Sequence, residues 1–242
     1  MALVNMTLQG KGGVGKSYVA ANLAQFYLRQ GRAPLCVDTD PVNKTFAGYK
    51  AFGVESLRLG ETADEVNPRN FDALIELIAT APEDAVVVVD NGASTFLPLV
   101  AYMVENDVPA FLKAEGHTIR LHSVVTGGQA LEDTVLGLEH ILSYFPDAEI
   151  VVWLNEFFGR IEKGGKTFEK FQLYKECADR LTALVRLPQL RKETFGADIE
   201  AMLKSRLTYD EAVSNPDFGL MARQRLKSVS RAVFSEMERA LL

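Results

Sequence analysis

Cysteine, histidine and tryptophan are scarce in this sequence of 242 residues, which has two, three and one of them respectively. The cysteines, Cys36 in an apolar segment and Cys177 in a helical one, lack the close spacing of metal ligands. We interpret both as reduced packing residues, because so sparse a pair makes no disulfide framework. His117, His122 and His140 likewise form no ligand pattern. Zinc-centred and disulfide-stapled classes are therefore not expected.

Long apolar runs and a basic N-terminal signal segment are also missing, so we expect a cytoplasmic protein. Acidic residues outnumber basic ones by 32 to 26, which gives a net charge of −6. This charge argues against broad nucleic-acid binding, because such binding usually needs a basic face. With 48% hydrophobic residues and no linker, residues 1–242 are expected to form a single domain.

Glycine is concentrated near the N-terminus, where residues 3–24 read LVNMTLQGKGGVGKSYVAANLA. Apolar and branched residues predict a strand that ends at Leu8, and apolar residues at Val19, Leu23 and Phe26 predict a helix after the glycines. Glycines let backbone N–H groups approach an anion, and a helix N-terminus adds free N–H groups and its dipole. The segment therefore predicts a polyphosphate site.

Two phosphate-binding patterns fit these glycines. One is the G-x-G-x-x-G of dinucleotide sites, with Asp38 placed to meet a ribose hydroxyl. The other is G-x-x-x-x-G-K-S over residues 10–17, in which Lys16 neutralises phosphate charge and the Ser17 hydroxyl binds Mg²⁺. We favour the second pattern, because a dinucleotide site uses neither Lys16 nor Ser17. The candidate nucleotide-binding residues in this loop are Gly12, Gly13, Val14, Gly15, Lys16, Ser17 and Tyr18.

Acidic residues end two further predicted strands. The strand at 33–37 runs into Asp38-Thr39-Asp40-Pro41, and the branched run at 85–89 runs into Asp90. Beside a phosphate loop, such acids are placed to bind magnesium or to orient an attacking water. The alternatives are a helix cap or turn for the first pair, and a structural strand end for the last acid. The candidate metal-binding set is Ser17, Asp38 and Asp90.

Helical and strand patterns alternate along the whole chain. Strands are predicted at 3–8, 33–37, 85–89, 118–125, 150–154 and 181–187, and helices at 16–30, 69–80, 96–106, 131–145 and 168–179. Residues 43–59 are expected to form a loop or short helix that senses the γ-phosphate. The alternation predicts an α/β fold with a doubly wound, mainly parallel sheet, helices on both faces, and ligands at the carboxyl edge of the strands.

Two residues after later strands are candidates for contact with the nucleotide. Asn155 follows the fifth predicted strand and Pro188 follows the sixth. A guanine-reading N-K-x-D signature would need Lys and Asp where Glu156 and Phe158 stand, so adenine is the default base. The alternative for Asn155 is that it caps a loop.

The segment at 220–242 predicts an amphipathic C-terminal helix. Its apolar residues recur at helical spacing, with arginine and lysine interleaved. Such a helix can lie on a membrane or touch DNA phosphates. We expect it instead to pack on the domain, because Glu236 and Glu238 dilute its basic charge. The apolar residues are Leu226, Val229, Val233, Met237 and Leu241.

Taken together, the motifs resemble the ParA/MinD family of ATPases. KGGVGKS resembles the deviant Walker A loop of that family, DTDP its switch I element and VVVVD its Walker B strand. The resemblance implies a P-loop fold with ATP and Mg²⁺ as cofactors, and an ATP-dependent homodimer. It implies three catalytic residues. Lys11 reaches the nucleotide of the second subunit, Lys16 holds the phosphates of its own, and Asp40 positions the attacking water.

Two departures from the family narrow this expectation. Partition ATPases commonly have Gln where Val42 stands and prolines where Asn91-Gly92 stands, so partition-type switching is not implied. The nitrogenase reductase branch needs cluster cysteines, which Cys36 and Cys177 do not supply. That branch is set aside.

Several further strings, among them PLCVDTDPVN, VVTGGQAL and VVWLN, resemble members of the family that serve conjugal plasmid transfer. The resemblance implies a slow, partner-stimulated ATPase that acts as a nucleotide switch in conjugative DNA transfer. Its expected partners are transfer or relaxase-associated proteins. Two alternatives stay open: an ATP-stabilised scaffold for transfer components, and a DNA-associated partition or positioning ATPase.

Overall fold

The computed structural model describes residues 1–40, 43–57, 59 and 67–241. Pro41 and Val42 of the Asp-Thr-Asp-Pro element lie outside the described residues, as do Arg58 of the 43–59 segment and the last residue, Leu242. Described parts of the 43–59 segment form two 3-10 turns, Phe46–Gly48 and Lys50–Phe52, which agrees with the predicted loop or short helix.

The strands of the described residues are β1 (Leu3–Thr7), β2 (Leu35–Asp38), β3 (Glu55–Ser56), β4 (Val86–Asp90), β5 (Thr118–Thr126), β6 (Glu149–Asn155), β7 (Glu162–Lys163), β8 (Lys166–Thr167) and β9 (Leu181–Leu187). Seven of them form one sheet in the order β3-β2-β4-β1-β5-β6-β9, and every neighbouring pair is parallel. The other two, β7 and β8, form a separate antiparallel hairpin. The all-valine run before Asp90 is buried along its whole length, as expected for a central parallel strand.

Helices cover both faces of the sheet. They are α1 (Lys16–Arg29), α2 (Asn70–Ala79), α3 (Phe96–Glu105), α4 (Val108–Ala114), α5 (Leu131–Tyr144), α6 (Gln172–Cys177), α7 (Ala197–Lys204), α8 (Tyr209–Ser214) and α9 (Leu220–Leu241). One apolar core joins the sheet to α2 through α6, and a second joins it to α1 and to α7 through α9. The predicted doubly wound α/β fold is confirmed.

The predicted helix at 168–179 is wrong as a continuous element. Residues Phe168–Lys170 form a 3-10 turn, and Phe171 then adopts an extended conformation (φ −67°, ψ 150°) before α6 begins. The sequence analysis also missed α4, α7, α8 and the two-residue β3.

The C-terminal helix α9 packs on the sheet, as predicted. Leu226, Val229, Val233 and Met237 are each at most 4% exposed and belong to the second core. Both cysteines are free and buried, which confirms their interpretation as packing residues. In the part of the chain that the structure describes, no helix is long and apolar enough to span a bilayer.

Candidate functional site

The predicted phosphate loop connects β1 to α1 at the carboxyl edge of the sheet. Gly13 and Gly15 have φ angles of 74° and 106°, in the region that residues with a side chain rarely adopt. The helix begins at Lys16, directly after the second of these glycines. The loop therefore presents its backbone N–H groups next to a helix N-terminus, which is the arrangement of an anion site.

Asn155, at the end of β6, forms a hydrogen bond with the phosphate loop. Its side-chain amide donates a hydrogen bond to the carbonyl oxygen of Val14 (2.9 Å), and its Oδ1 accepts one from the Phe157 N–H (3.2 Å). A Cβ atom at Gly15 would lie 2.8 Å from Asn155 Nδ2. Asn155 thus fixes the loop in this structure, and its contact with a base stays a prediction.

The Lys16 side chain lies back over the loop. It is 8% exposed, and its Nζ donates to the carbonyl oxygen of Lys11 (3.1 Å). Burial lowers the pKa of Lys16, while the nearby charges of Asp90 and Asp40 oppose that shift. Among the described residues, this carbonyl is the only hydrogen-bond partner of Lys16 Nζ, so the buried ammonium is well placed to bind an anion that enters the loop.

Asp90, at the end of β4, has one carboxylate oxygen without a hydrogen-bond partner. Oδ1 accepts from the Thr7 hydroxyl (2.9 Å), whereas the buried Oδ2 accepts no hydrogen bond from the described residues. Burial raises the pKa of Asp90 to about 7, the Ser17 side chain beside it favours the charged form, and Asp38 disfavours that form. The unused oxygen next to a hydroxyl fits a cation ligand.

Asp38 lies opposite Asp90 in the pairing of β2 with β4. Its two carboxylate oxygens accept the backbone N–H groups of Asp40 (2.9 Å) and Ala47 (2.8 Å). Burial raises the pKa of Asp38, and these N–H groups oppose the shift. Asp38 therefore fixes the segment after β2, and its predicted role as a metal ligand stays a prediction.

Asp40 lies at the edge of the site. Its carboxylate accepts from the backbone N–H (3.0 Å) and side-chain amide (3.3 Å) of Asn43. A Cβ atom at Gly92 would lie 3.0 Å from Asp40 Cγ, so the glycine after β4 allows the two segments to approach. Gly92, one half of the Asn91-Gly92 departure noted in the sequence, therefore has a packing reason.

The residues that are present fit a magnesium ion shared with phosphate oxygens. Among the described residues, no group of three or more His, Cys, Asp or Glu side chains could hold a metal by itself. Mg²⁺ does not need such a cage, since it keeps several waters and commonly takes one or two protein ligands beside phosphates. The Ser17 hydroxyl and the unused Asp90 oxygen could supply such ligands, and their role stays a prediction.

Two cavities meet at the phosphate loop, and Gly13, Gly15 and Tyr18 line both. One, of about 410 Å³, is the more polar of the two (the polar cavity) and is lined by Gly12, Gly13, Gly15, Lys16, Ser17, Tyr18, Asp40, Asn43, Thr45, Tyr49, Ala93, Leu203 and Arg206. The other, of about 180 Å³, is mainly apolar and is lined by residues that include Asn155, Phe157, Leu187, Pro188, Ile199 and Val229. The structure thus brings the predicted loop residues other than Val14 together with Asp40 in the first cavity. In the second cavity, Gly13, Gly15 and Tyr18 lie with Asn155 and Pro188, while Asp38 and Asp90 line neither cavity.

Lys11 lies outside both of these cavities. Its Nζ forms an ion pair with Asp133 of α5 (2.7 Å), and the two side chains are 46% and 54% exposed. It lines a separate surface cavity of about 620 Å³ with Asp133, Leu97 and His140. The intrasubunit phosphate cavity is therefore built without the Lys11 side chain.

Sequence reasoning missed three lining residues of the polar cavity, Ala93, Leu203 and Arg206. Asn43, Thr45 and Tyr49 line it from the 43–59 segment, which was expected to sense the γ-phosphate, although none of the three was singled out. Arg206 has an unusual φ angle of 54°, which no local sequence pattern predicts.

The comparison with known proteins agrees with this geometry. A family model described as the CobQ/CobB/MinD/ParA nucleotide binding domain matches residues 6–185. Two proteins of Escherichia coli, each named Protein TraL, are 50% and 49% identical to this chain over 241 residues, which is 99% of this chain and 99% of each relative.

Solved structures share the fold at low sequence identity. MinD of Aquifex aeolicus has a TM-score of 0.52 at 15% identity, covering 96% of this chain and 97% of its own. The cell division ATPase MinD of Pyrococcus furiosus has a TM-score of 0.53 at 17% identity, covering 99% of each chain. A MinC:MinD complex of Aquifex aeolicus has a TM-score of 0.54 at 14% identity, covering 96% and 95%. This chain therefore belongs to the MinD/ParA nucleotide-binding family and, within it, to the family of the TraL proteins.

Proposed function

We propose that this protein is an ATP- and Mg²⁺-dependent nucleotide switch, a slow ATPase whose ATP-bound form is a homodimer, and that it acts in conjugative plasmid transfer. The observation that carries the proposal is the junction of a polar and an apolar cavity at the phosphate loop. Membership of a nucleotide-binding family supports the ligand class. The likeness to the TraL proteins supports the transfer role.

The two cavities match the two halves of a nucleotide. An adenine base fits the apolar cavity between the loop and Pro188, where Asn155 keeps the loop in place. The phosphates fit the polar cavity, where the loop N–H groups and Lys16 meet their charge. Tyr18 lines both cavities and lies where the two halves of the ligand join.

The metal assignment rests on Ser17 and Asp90. The Ser17 hydroxyl and Asp90 Oδ2 would hold Mg²⁺, and the ion would supply positive charge that stabilises the negative charge developing on the phosphates. Asp38 keeps the strand-end segment in position through its two backbone contacts. We propose that Asp38 also contributes to this Mg²⁺ site, outside the two direct ligands Ser17 and Asp90.

Asp40 and Lys11 have different roles in the hydrolysis of ATP. A water attacks the γ-phosphorus and the bond to the β–γ bridging oxygen breaks. The bridging oxygen leaves with ADP, and both protons of the water stay on the phosphate product, H₂PO₄⁻. Asp40 orients that water from the rim of the polar cavity. Lys11 leaves Asp133 and meets the phosphate charge held by the second subunit, as an arginine finger does in trans.

The proposal also covers the domain organisation, the cellular location and the partners. Residues 1–242 act as one P-loop domain with α9 as an integral helix, and the switch works in the cytoplasm, where ATP is available. Its partners are transfer or relaxase-associated proteins. The acidic net charge does not favour DNA as the primary partner, and the buried stripe of α9 does not favour a membrane.

Calorimetry with ATP·Mg²⁺, ADP·Mg²⁺ and NAD tests the nucleotide assignment. We expect ATP to bind more tightly than ADP, and NAD not to bind. Lys16→Ala should remove most binding because a phosphate loses its lysine, whereas Lys113→Ala on α4 should bind as the parent does. Binding of NAD without ATP would overturn the proposal.

A phosphate-release assay then distinguishes a switch from a scaffold. Proteins for the assay come from a pull-down with the Asp40→Ala variant, loaded with ATP, from cells that carry the transfer system. Stimulated turnover of the parent supports the switch. ATP binding with unchanged turnover supports the scaffold, and ATP-dependent, salt-sensitive binding to non-specific DNA supports a positioning ATPase.

A further inference from the structure

Arg206 has an unusual backbone conformation two residues after α7 ends. Its φ angle is 54°, in the left-handed region that residues with a side chain seldom occupy. Such conformations persist where the surroundings fix them, and they cluster at ligand-binding sites. The capping box of the next helix, Thr208 with Glu211, fixes the chain two residues later.

The Arg206 side chain passes over Gly48, in the segment that follows the Asp38-anchored turn. A Cβ atom at Gly48 would lie 2.9, 3.1 and 3.2 Å from Arg206 Cγ, Cδ and Nε. The glycine therefore leaves room for the arginine stem. Nη1 donates to the carbonyl oxygen of Leu203 (2.6 Å), which ties the guanidinium to the last turn of α7.

This path brings Arg206 to the polar cavity. It lines that cavity together with Lys16, Ser17 and Asp40. Its positive charge also opposes the upward shift that burial gives the pKa of Tyr49, another lining residue. Arg206 takes part in no ion pair with any residue that the structure describes.

A guanidinium offers five N–H donors in a rigid fork, which suits phosphate oxygens. The guanidinium of Arg206 forms only one hydrogen bond within the described residues, to the carbonyl oxygen of Leu203. We propose that Arg206 is a further nucleotide-binding residue, whose guanidinium contacts the β- and γ-phosphates of a nucleotide held by the same subunit. The inference rests on the proposed function and adds a second cation, in cis, to Lys16.

Arg206 also contacts two separate parts of the chain. Arg206 touches the segment after β2 at Gly48 and the end of α7 at Leu203, and Leu203 lines both cavities. A phosphate bound by Arg206 therefore joins these two segments through one side chain.

The test uses Arg206→Asn, because asparagine tolerates a left-handed backbone while it removes the charge. Calorimetry in Mg²⁺ compares AMP, ADP and the non-hydrolysable triphosphate AMP-PNP. We expect the affinities for ADP and AMP-PNP to fall by about tenfold to a hundredfold, the range for losing a hydrogen bond to a charged group. The affinity for AMP should stay near that of the parent.

Two further variants complete the design. Lys204→Asn removes a positive charge from an exposed position on α7 and should leave all three affinities unchanged. Arg206→Lys keeps the charge but loses the fork, so it should weaken ADP and AMP-PNP severalfold. This variant carries the test if Arg206→Asn does not fold, which thermal unfolding will show.

Unchanged AMP-PNP affinity in a folded Arg206 variant would refute the phosphate contact. An equal loss for AMP, ADP and AMP-PNP would also refute it, because that result indicates a structural role at Gly48. These outcomes differ from failure of the proposed function, in which the parent protein itself binds none of the three nucleotides.

Discussion

Lys11 Nζ lies 2.7 Å from the carboxylate of Asp133 in the same chain. The lysine that we propose to act on a second subunit is thus held by an acid of its own subunit. Both side chains are about half exposed, and ion pairs of this kind contribute up to about 1 kcal/mol. The pair can therefore restrain Lys11 without preventing its transfer.

Removing the restraint should favour the dimer. In an Asp40→Ala background with ATP, we expect Asp133→Asn to strengthen dimerisation by up to about thirtyfold, the equivalent of about 2 kcal/mol for the two Lys11–Asp133 pairs of a dimer. Light scattering over a concentration series measures this. The control is Glu132→Gln, which removes the same charge from the neighbouring residue, whose ion pair is with Lys163. A weaker dimer in Asp133→Asn would contradict the prediction.

Lys11 itself should be needed for the dimer and not for nucleotide binding. In the same Asp40→Ala background, Lys11→Ala is expected to abolish the ATP-dependent dimer. ATP binding by the monomer should persist, because Lys16 contacts the backbone carbonyl of residue 11 and not its side chain. Light scattering and calorimetry on one preparation measure both properties. A dimer that survives the substitution would rule out the contact in trans.

Asp40 should affect turnover far more than binding. We expect Asp40→Ala to keep ATP affinity near that of the parent, while turnover falls about a hundredfold or more through loss of a water-orienting group. Asn43→Ala is the matched control, because it removes a partner of the Asp40 carboxylate but keeps the carboxylate. If both variants lose turnover equally, the ordering of the loop and not the orientation of water explains the loss.

Local patterns were sufficient to predict six of the seven strands of the sheet and the phosphate loop. The branched run before Asp90 and the glycines before Lys16 have their structural causes within a few residues. The contact between Asn155 and Val14 joins positions 141 residues apart, so no local pattern could reveal it. Arg206 reaches its cavity by the same kind of long-range packing.

Some missed elements did have local signals. Thr208 and Glu211 form a capping box that starts α8, and this spacing is readable in the sequence. Pro109 lies in the first turn of α4, where proline is tolerated and does not break a helix. The break in the predicted helix at 168–179 had no such local signal. Phe168 is buried in the core, and the chain becomes extended at Phe171.

Alanine substitutions along the phosphate loop should separate backbone strain from steric clash. Gly12→Ala should barely change the stability of the nucleotide-free protein, since the nearest atom to a new Cβ lies 3.9 Å away. Gly13→Ala has open space but a φ of 74°, and should cost about 1 kcal/mol. Gly15→Ala adds contact with Asn155 to a φ of 106°, and should cost about 2 kcal/mol or more. Urea unfolding measures all three, and equal losses would contradict this account of the loop.

Acid should destabilise the protein through His122, a buried residue of β5. Its Nδ1 accepts from the Trp153 indole (2.8 Å), so Nε2 carries the proton and donates to Asn5 Oδ1 (3.0 Å). Burial, helped by the charge of Arg120, lowers the pKa of His122 from 6.5 to about 3. Below pH 6.5 the unfolded chain therefore binds a proton that the folded chain does not.

The contribution of His122 to stability is present above pH 6.5 and is lost as the pH falls toward 3. We expect it to remove about 1 kcal/mol of unfolding free energy between about pH 7 and about pH 5.5. Urea unfolding of His122→Gln should show lower stability at neutral pH and a loss on acidification that is smaller by this amount. Tyr27→Phe, which removes a weaker bond to the same Asn5 oxygen, should keep the pH dependence of the parent. An unchanged pH dependence in His122→Gln would assign the acid sensitivity to other groups.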